Sequence, residues 1–175
     1  MPRKISYLTF LFVIMIISGC MLVVPSCKGT ADGDLYIGNW QFADTIMEND
    51  ITYVTTRTLE LTKTSYEETY VIRHRNDSTI TAIIGTRGSI VKSRNYFTFR
   101  LEELGTCVRD SDYGCTSTLL WYGEGTQYWD YNIQFFSLSV KAELKVNETT
   151  LTLIRDLNND GDTLDLGEEV VFTRS

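Results

Sequence analysis

The chain is short of the residues that break strands and of those that do chemistry: two prolines and a single histidine occur among 175 residues. One histidine, His74, excludes a two-histidine metal site of the zinc-protease kind. A Gly-x-Ser-x-Gly nucleophile elbow and a phosphate-binding glycine loop are likewise missing. The carboxylate pairs Glu67-Glu68, Glu102-Glu103 and Glu168-Glu169 are immediate neighbours, and neighbours on a strand point to opposite faces, so no pair makes an acid/base dyad by itself. An enzyme is not expected. Basic charge is also scarce: 16 Lys and Arg stand against 23 Asp and Glu, a formal charge of −7 that argues against nucleic acid as a partner. A sustained 3.6-residue apolar period is absent after the N-terminal segment, so helix should be minor. What is present is 43% hydrophobic and 12% aromatic residues, too apolar for a disordered chain and enough for the core of one domain.

The first twenty residues read as an address. Arg3 and Lys4 precede an apolar run from Ile5 to Ile17, followed by Ser18, Gly19 and Cys20, the plan of a signal peptide. Ile17-Ser18-Gly19-Cys20 resembles the lipobox of bacterial lipoproteins, which implies that Cys20 is acylated and becomes the mature N-terminus. The expected organisation is a cleaved signal peptide over 1–19, a lipidated N-terminus and tether over 20–35, and a folded domain over 36–175. An uncleaved anchor is the competing reading, because Met21 to Val24 extend the apolar run toward the roughly 20 residues that span a bilayer. Ser18-Gly19-Cys20 interrupts that run where a lipobox requires it. Cys27, behind Val24-Pro25-Ser26, is a poorer second acylation candidate. Each reading places the domain outside the cytoplasm and tethers it to a membrane; the lipobox resemblance implies a bacterial cell envelope, facing the periplasm or the exterior. In such an oxidising compartment Cys107 and Cys115, which bracket a polar seven-residue segment, are expected to form a disulfide; the alternative is two free thiols.

From Tyr36 onward the apolar period is two, with turn signals about every ten residues, the pattern of antiparallel β structure. Ile51, Tyr53, Leu59 and Leu61 share one face of a segment whose other face is Thr52, Thr56, Thr58, Glu60 and Thr62. Phe97, Phe99 and Leu101 alternate with Thr98, Arg100 and Glu102. Further strands are expected at 38–47, 66–74, 78–84, 88–93, 116–122, 142–146, 150–156 and 168–174. One more is expected at 131–140, with a bulge near Phe135-Phe136 to turn both registers toward the core. Glu48-Asn49-Asp50, Asn76-Asp77 and Asn147-Glu148 are natural turns between them. The fold class is all-β, an antiparallel up-and-down barrel of about 8–10 strands, since closure removes exposed edges; a sandwich is the alternative.

Gly38-Asn39-Trp40 opens the first strand, and Val170-Val171-Phe172-Thr173-Arg174 ends the last. Together these resemble the lipocalin and calycin pattern, and more closely the short lipocalin-like domains of exported bacterial lipoproteins. The resemblance implies that Trp40 plugs one end of the barrel and that Arg174 lies across its ring. The plainer reading is a core tryptophan and a solvated terminal arginine.

Two other features bear on function. Asp156, Asn158 and Asp160 occupy alternate positions before Gly161, as the oxygen ligands of a calcium loop do, with Asp162 and Glu168 as further donors. The bidentate carboxylate expected at the twelfth position is displaced from Gly167 to Glu168, so any Ca²⁺ site should be weak; the alternative is a solvated hairpin loop. Trp121, Tyr122, Tyr128, Trp129 and Tyr131 form an aromatic cluster that suits either a pocket rim or ordinary packing. Two functions follow as expectations: a membrane-anchored barrel that carries a small apolar ligand, or a filled barrel that engages a host or envelope protein or inhibits an enzyme. Cavity volume separates them.

Overall fold

β-Branched and aromatic residues in strict alternation suit a pleated surface with one buried face, and nine strands form from them among the described residues. In this computed structural model the described residues are 34–93, 96–110, 114–156, 163 and 168–175. Cys20, Cys27, Asn158, Asp160 and Asp162 lie outside them. The strands are β1 (Gly38–Glu48), β2 (Ile51–Leu61), β3 (Ser65–His74), β4 (Ile80–Ser93), β5 (Tyr96–Arg109), β6 (Cys115–Gly123), β7 (Ser139–Val146), β8 (Thr150–Arg155) and β9 (Glu169–Arg174).

β1 to β5 run as an antiparallel meander. The first half of β5, Phe97 to Arg100, then pairs with β7. β8 and β9 follow β7 in order, and β9 returns to β1 through Trp40 opposite Arg174 and Gln41 opposite Thr173. That return closes an eight-stranded antiparallel barrel. β6 is the ninth strand and stands outside the closed ring, paired to the second half of β5. Asn49 and Asp50, at φ 49° and 63°, make the tight β1–β2 turn with the positive backbone angles that Asn and Asp tolerate best.

Inward positions supply one main core. Trp40, Leu59, Leu61, Leu151, Leu153 and Phe172 are at most 1% exposed, and Tyr66 on Phe99 and Tyr36 on Phe97 pack edge to face at 5.1 and 4.9 Å. Burying such side chains contributes roughly 1.5–3 kcal/mol each.

Two sequence expectations change. Segments 78–84 and 88–93 are one strand, β4, because Gly85 and Gly88 fit within it. Gly88 sits where the β4–β5 register shifts, and a Cβ there would lie 1.9 Å from the Arg100 carbonyl oxygen. Segment 131–140 is not a strand over its first half: a short helix α1 (Gln127–Asn132) leads into a 3-10 turn (Ile133–Phe135), and β7 begins only at Ser139. Thr126 caps α1, its hydroxyl accepting from the Trp129 backbone N–H, and Trp129 anchors the helix against Leu101 and Leu104. Phe135 is therefore 41% exposed instead of facing the core through a bulge.

Candidate functional site

The closed end of the barrel is built by the first and last strands. Trp40 is fully buried, and its Nε1 donates to the Tyr36 carbonyl at 2.8 Å. The Arg174 guanidinium lies 4.3 Å from the centre of the Trp40 ring. Its nitrogens donate to the carbonyls of Leu35, Ile37 and Glu148, at 2.6, 3.3 and 3.0 Å. Gly38 makes the stacking feasible: its φ of 138° is outside the range of other residues, and a Cβ there would lie 2.9 Å from Arg174 Nη1. One exposed arginine thus ties the approach to β1, the β7–β8 turn and β9 around a single indole.

Above the apolar core the inward register turns charged. Arg57 of β2, Glu68 of β3 and Arg155 of β8 all face the interior, and Glu68 takes both arginines: Arg57 Nε donates to Oε1 and Arg155 Nη1 to Oε2 at 3.1 Å. These side chains are only 20%, 11% and 11% exposed. Arg155 Nε is buried without a hydrogen-bond partner. Arg57 also approaches the Phe172 ring, at 5.7 Å, so the charged layer rests directly on the core. Beside it, Thr55 is buried and donates to the Asp44 carbonyl, while burial raises the Tyr70 phenol above its ordinary value. Sequence reasoning passed over this layer, although a signal was available. Thr55 and Arg57 lie between Tyr53 and Leu59 in the inward register, and Arg155 continues the register of Leu151 and Leu153.

Two clefts among the described residues open toward the outside of the sheet. One, about 280 Å³, is lined by Glu60, Glu67, Arg87, Glu102 and Glu103, and the other, about 230 Å³, by Asn39, Thr58, Thr69 and Ser175 among others. The polar lining side chains alternate with the inward Leu59, Leu61 and Glu68, and the buried Tyr66, Trp40 and Leu59 also line the two clefts. Glu102 and Glu103 both line the first cavity, against the simple rule for strand neighbours, because the register shift leaves Glu102 unpaired. Arg87 pairs with Glu103, Ser89 donates to Glu102 at 2.7 Å, and Glu60 stands directly opposite Glu67.

Among the residues expected to be functional, Cys107 and Cys115 are joined in a disulfide that staples β6 to β5. Asp156 and Glu168 of the acidic segment are described, Glu168 being 2% exposed, whereas Asn158, Asp160 and Asp162 are not. Among the described residues no group of three His, Cys, Asp or Glu side chains is placed to hold a metal. The aromatic cluster is divided between faces. Trp129 and Tyr128 pack inward with Leu104, Trp121 lies on the outer face over Gly85 and Gly105, and Tyr131 is 71% exposed. Phe97 and Phe99 are in the core, while Phe136 packs with Trp129. No family model matches the chain, and no curated protein matches it.

Proposed function

We propose that the chain is an extracytoplasmic, membrane-anchored lipoprotein whose barrel is a packed, non-enzymatic scaffold engaging a partner protein through its outer surface and loops. The observation that carries this reading is the filling of the barrel. Trp40, Phe172, Leu59, Leu151 and Leu153 occupy the interior of the closed ring at no more than 1% exposure, and the Arg57–Glu68–Arg155 layer lies over them. A small-molecule carrier uses an apolar cavity of about 300–1,000 Å³. Two clefts of about 280 and 230 Å³ are lined mostly by outward polar side chains, with Tyr66, Trp40 and Leu59 of the core also reaching them. An apolar ligand entering from the charged side would have to displace paired arginines, at a cost of several kcal/mol. The lipobox ending at Cys20 and the Cys107–Cys115 disulfide support the anchored, oxidising location.

Titration of the full chain in detergent with a lipophilic fluorophore such as N-phenyl-1-naphthylamine tests the filled-barrel reading. No saturable uptake into the protein is expected. One-site saturation that is lost when Leu153→Trp narrows the interior would restore the carrier function. Mass spectrometry of the chain from bacterial membranes tests the anchor: acyl mass on Cys20, absent in Cys20→Ala, is expected.

A further inference from the structure

The chain enters the barrel at the end closed by Trp40 and Arg174. Asp34 to Ile37 lead into β1 there, and Tyr36 packs beneath the core with its ring on Phe97. The β2–β3 turn, the end of β4, the start of β5 and the β7–β8 turn gather at the same end. All four lysines of the described residues are placed there, and all are exposed: Lys63 in the β2–β3 turn, Lys92 near the end of β4, and Lys141 and Lys145 on β7. Two of them flank the entering segment, since Lys63 meets Asp34 at 2.8 Å and Lys92 Nζ lies 5.2 Å from the centre of the Tyr36 ring.

Exposed apolar side chains adjoin these lysines. Leu35, Val91 and Tyr96 are 42%, 47% and 44% exposed. Thr98 stands opposite Val91 on one side and Lys141 on the other, and Lys141 Nζ reaches the Tyr96 ring at 3.9 Å, so Val91, Tyr96 and Lys141 form one outward patch. Lys145 approaches Glu143 at 4.0 Å, whereas Lys92 and Lys141 have no carboxylate partner among the described residues. The opposite end has the other sign: Glu48, Asp50, Asp77, Asp110, Asp156 and Glu169 outnumber Arg73, Arg75 and Arg109. Lysines that lay their stems on apolar surface beside an exposed tyrosine suit the boundary between lipid headgroups and acyl chains.

We propose that the Trp40–Arg174 end docks on an anionic phospholipid bilayer, with Lys92 and Lys141 on headgroup phosphates and Leu35, Val91 and Tyr96 at the headgroup boundary. The inference rests on the anchored reading, and the tether selects the occupant. Residues 20–33 span at most about 50 Å when extended and join the barrel at this end, so the bilayer that holds the tether stays within reach of these side chains and at high effective concentration. A formal charge of −7 does not oppose the contact, because exposed charges are screened beyond about 8–10 Å, and the acidic end points away from the lipid.

The full chain reconstituted in nanodiscs tests the docking. One set of discs is phosphatidylcholine alone and the other contains phosphatidylglycerol. Acetylation by an N-hydroxysuccinimide ester, followed lysine by lysine with mass spectrometry, should be about fivefold slower at Lys63, Lys92 and Lys141 in the phosphatidylglycerol discs, and high salt should remove the difference. Lys92→Gln with Lys141→Gln should return Lys63 to its phosphatidylcholine rate. Arg73→Gln with Arg75→Gln, at the acidic end, should leave the protection intact. Near-UV circular dichroism confirms that each variant is folded. Equal rates in both lipids, with the chain bound to the discs, overturn the docking and leave the anchor standing. A chain that joins neither set of discs overturns the anchored reading and the docking with it. Protection that appears in detergent without lipid and grows with protein concentration assigns this end to a second copy of the chain and overturns the proposal.

Discussion

Glu68→Gln is the substitution whose effect follows most directly from the geometry. The carboxylate accepts from two arginines on two other strands, in side chains that are about nine-tenths buried for Glu68 and Arg155 and four-fifths buried for Arg57. Glutamine keeps the shape but offers one acceptor oxygen and no charge, so two guanidinium groups would share the interior with half of their partner removed. Breaking a buried pair from one side costs about 3–5 kcal/mol, because the remaining charge stays desolvated. The partial exposure of Arg57 places the expectation at the lower end, about 3 kcal/mol. For a domain of this size that is a fall in melting temperature of about 6–12 °C. Urea denaturation followed by tryptophan fluorescence reads the free energy, and calorimetry reads the temperature. A matching variant, Arg57→Met with Glu68→Leu and Arg155→Met, replaces the whole layer by apolar side chains and should be neutral or more stable by about 1–4 kcal/mol. A loss below about 1 kcal/mol for Glu68→Gln, the range of an exposed ion pair, would refute the claim that this layer is desolvated.

Two further outcomes are expected. Arg174→Lys should destabilise the chain by about 1–3 kcal/mol in urea melts, since lysine retains the charge but neither stacks flat on Trp40 nor reaches three carbonyls. Burial raises the Tyr66 phenol well above the ordinary tyrosine value of 10.0, with Glu68 adding to the effect. The neutral phenol therefore contributes stability that is fully present below pH 10.0 and is lost as pH rises toward the folded-state value, because the unfolded chain ionises first. Tyr66→Phe should flatten this alkaline decline in pH-dependent urea melts. An unchanged slope above pH 10.0 would show that Tyr66 is not the group responsible.

The strands were legible because a buried face needs an apolar residue at every second position, and Leu59-Leu61 or Phe97-Phe99 cannot satisfy that need in another register. The turn at Asn49-Asp50 was legible because its positive backbone angles favour those residues. The segment from Tyr131 to Val140 misled for a related reason. Ile133, Phe135, Phe136 and Leu138 fit a strand pattern if a bulge is allowed, but the Thr126 cap and the anchoring of Trp129 against Leu104 make the first part helical. Local pattern loses there to a tertiary contact. The interior charged layer was half legible: the register placed Arg57 and Arg155 inward, but that Glu68 meets Arg155, 87 residues away, was decided by the barrel.

Composition and period were enough to establish an acidic, all-β domain with one histidine, because alternation and charge are properties of neighbours along the chain. Which strands close the ring, that β6 is left outside it, and that Arg57, Glu68 and Arg155 converge on one another depend on contacts between residues far apart in sequence. Arg155 reaches Glu68 across the closed ring, whose first and last strands meet at Trp40 and Arg174. The physical reason is that pairing energy is shared across strands, so no single strand encodes the identity of its neighbour.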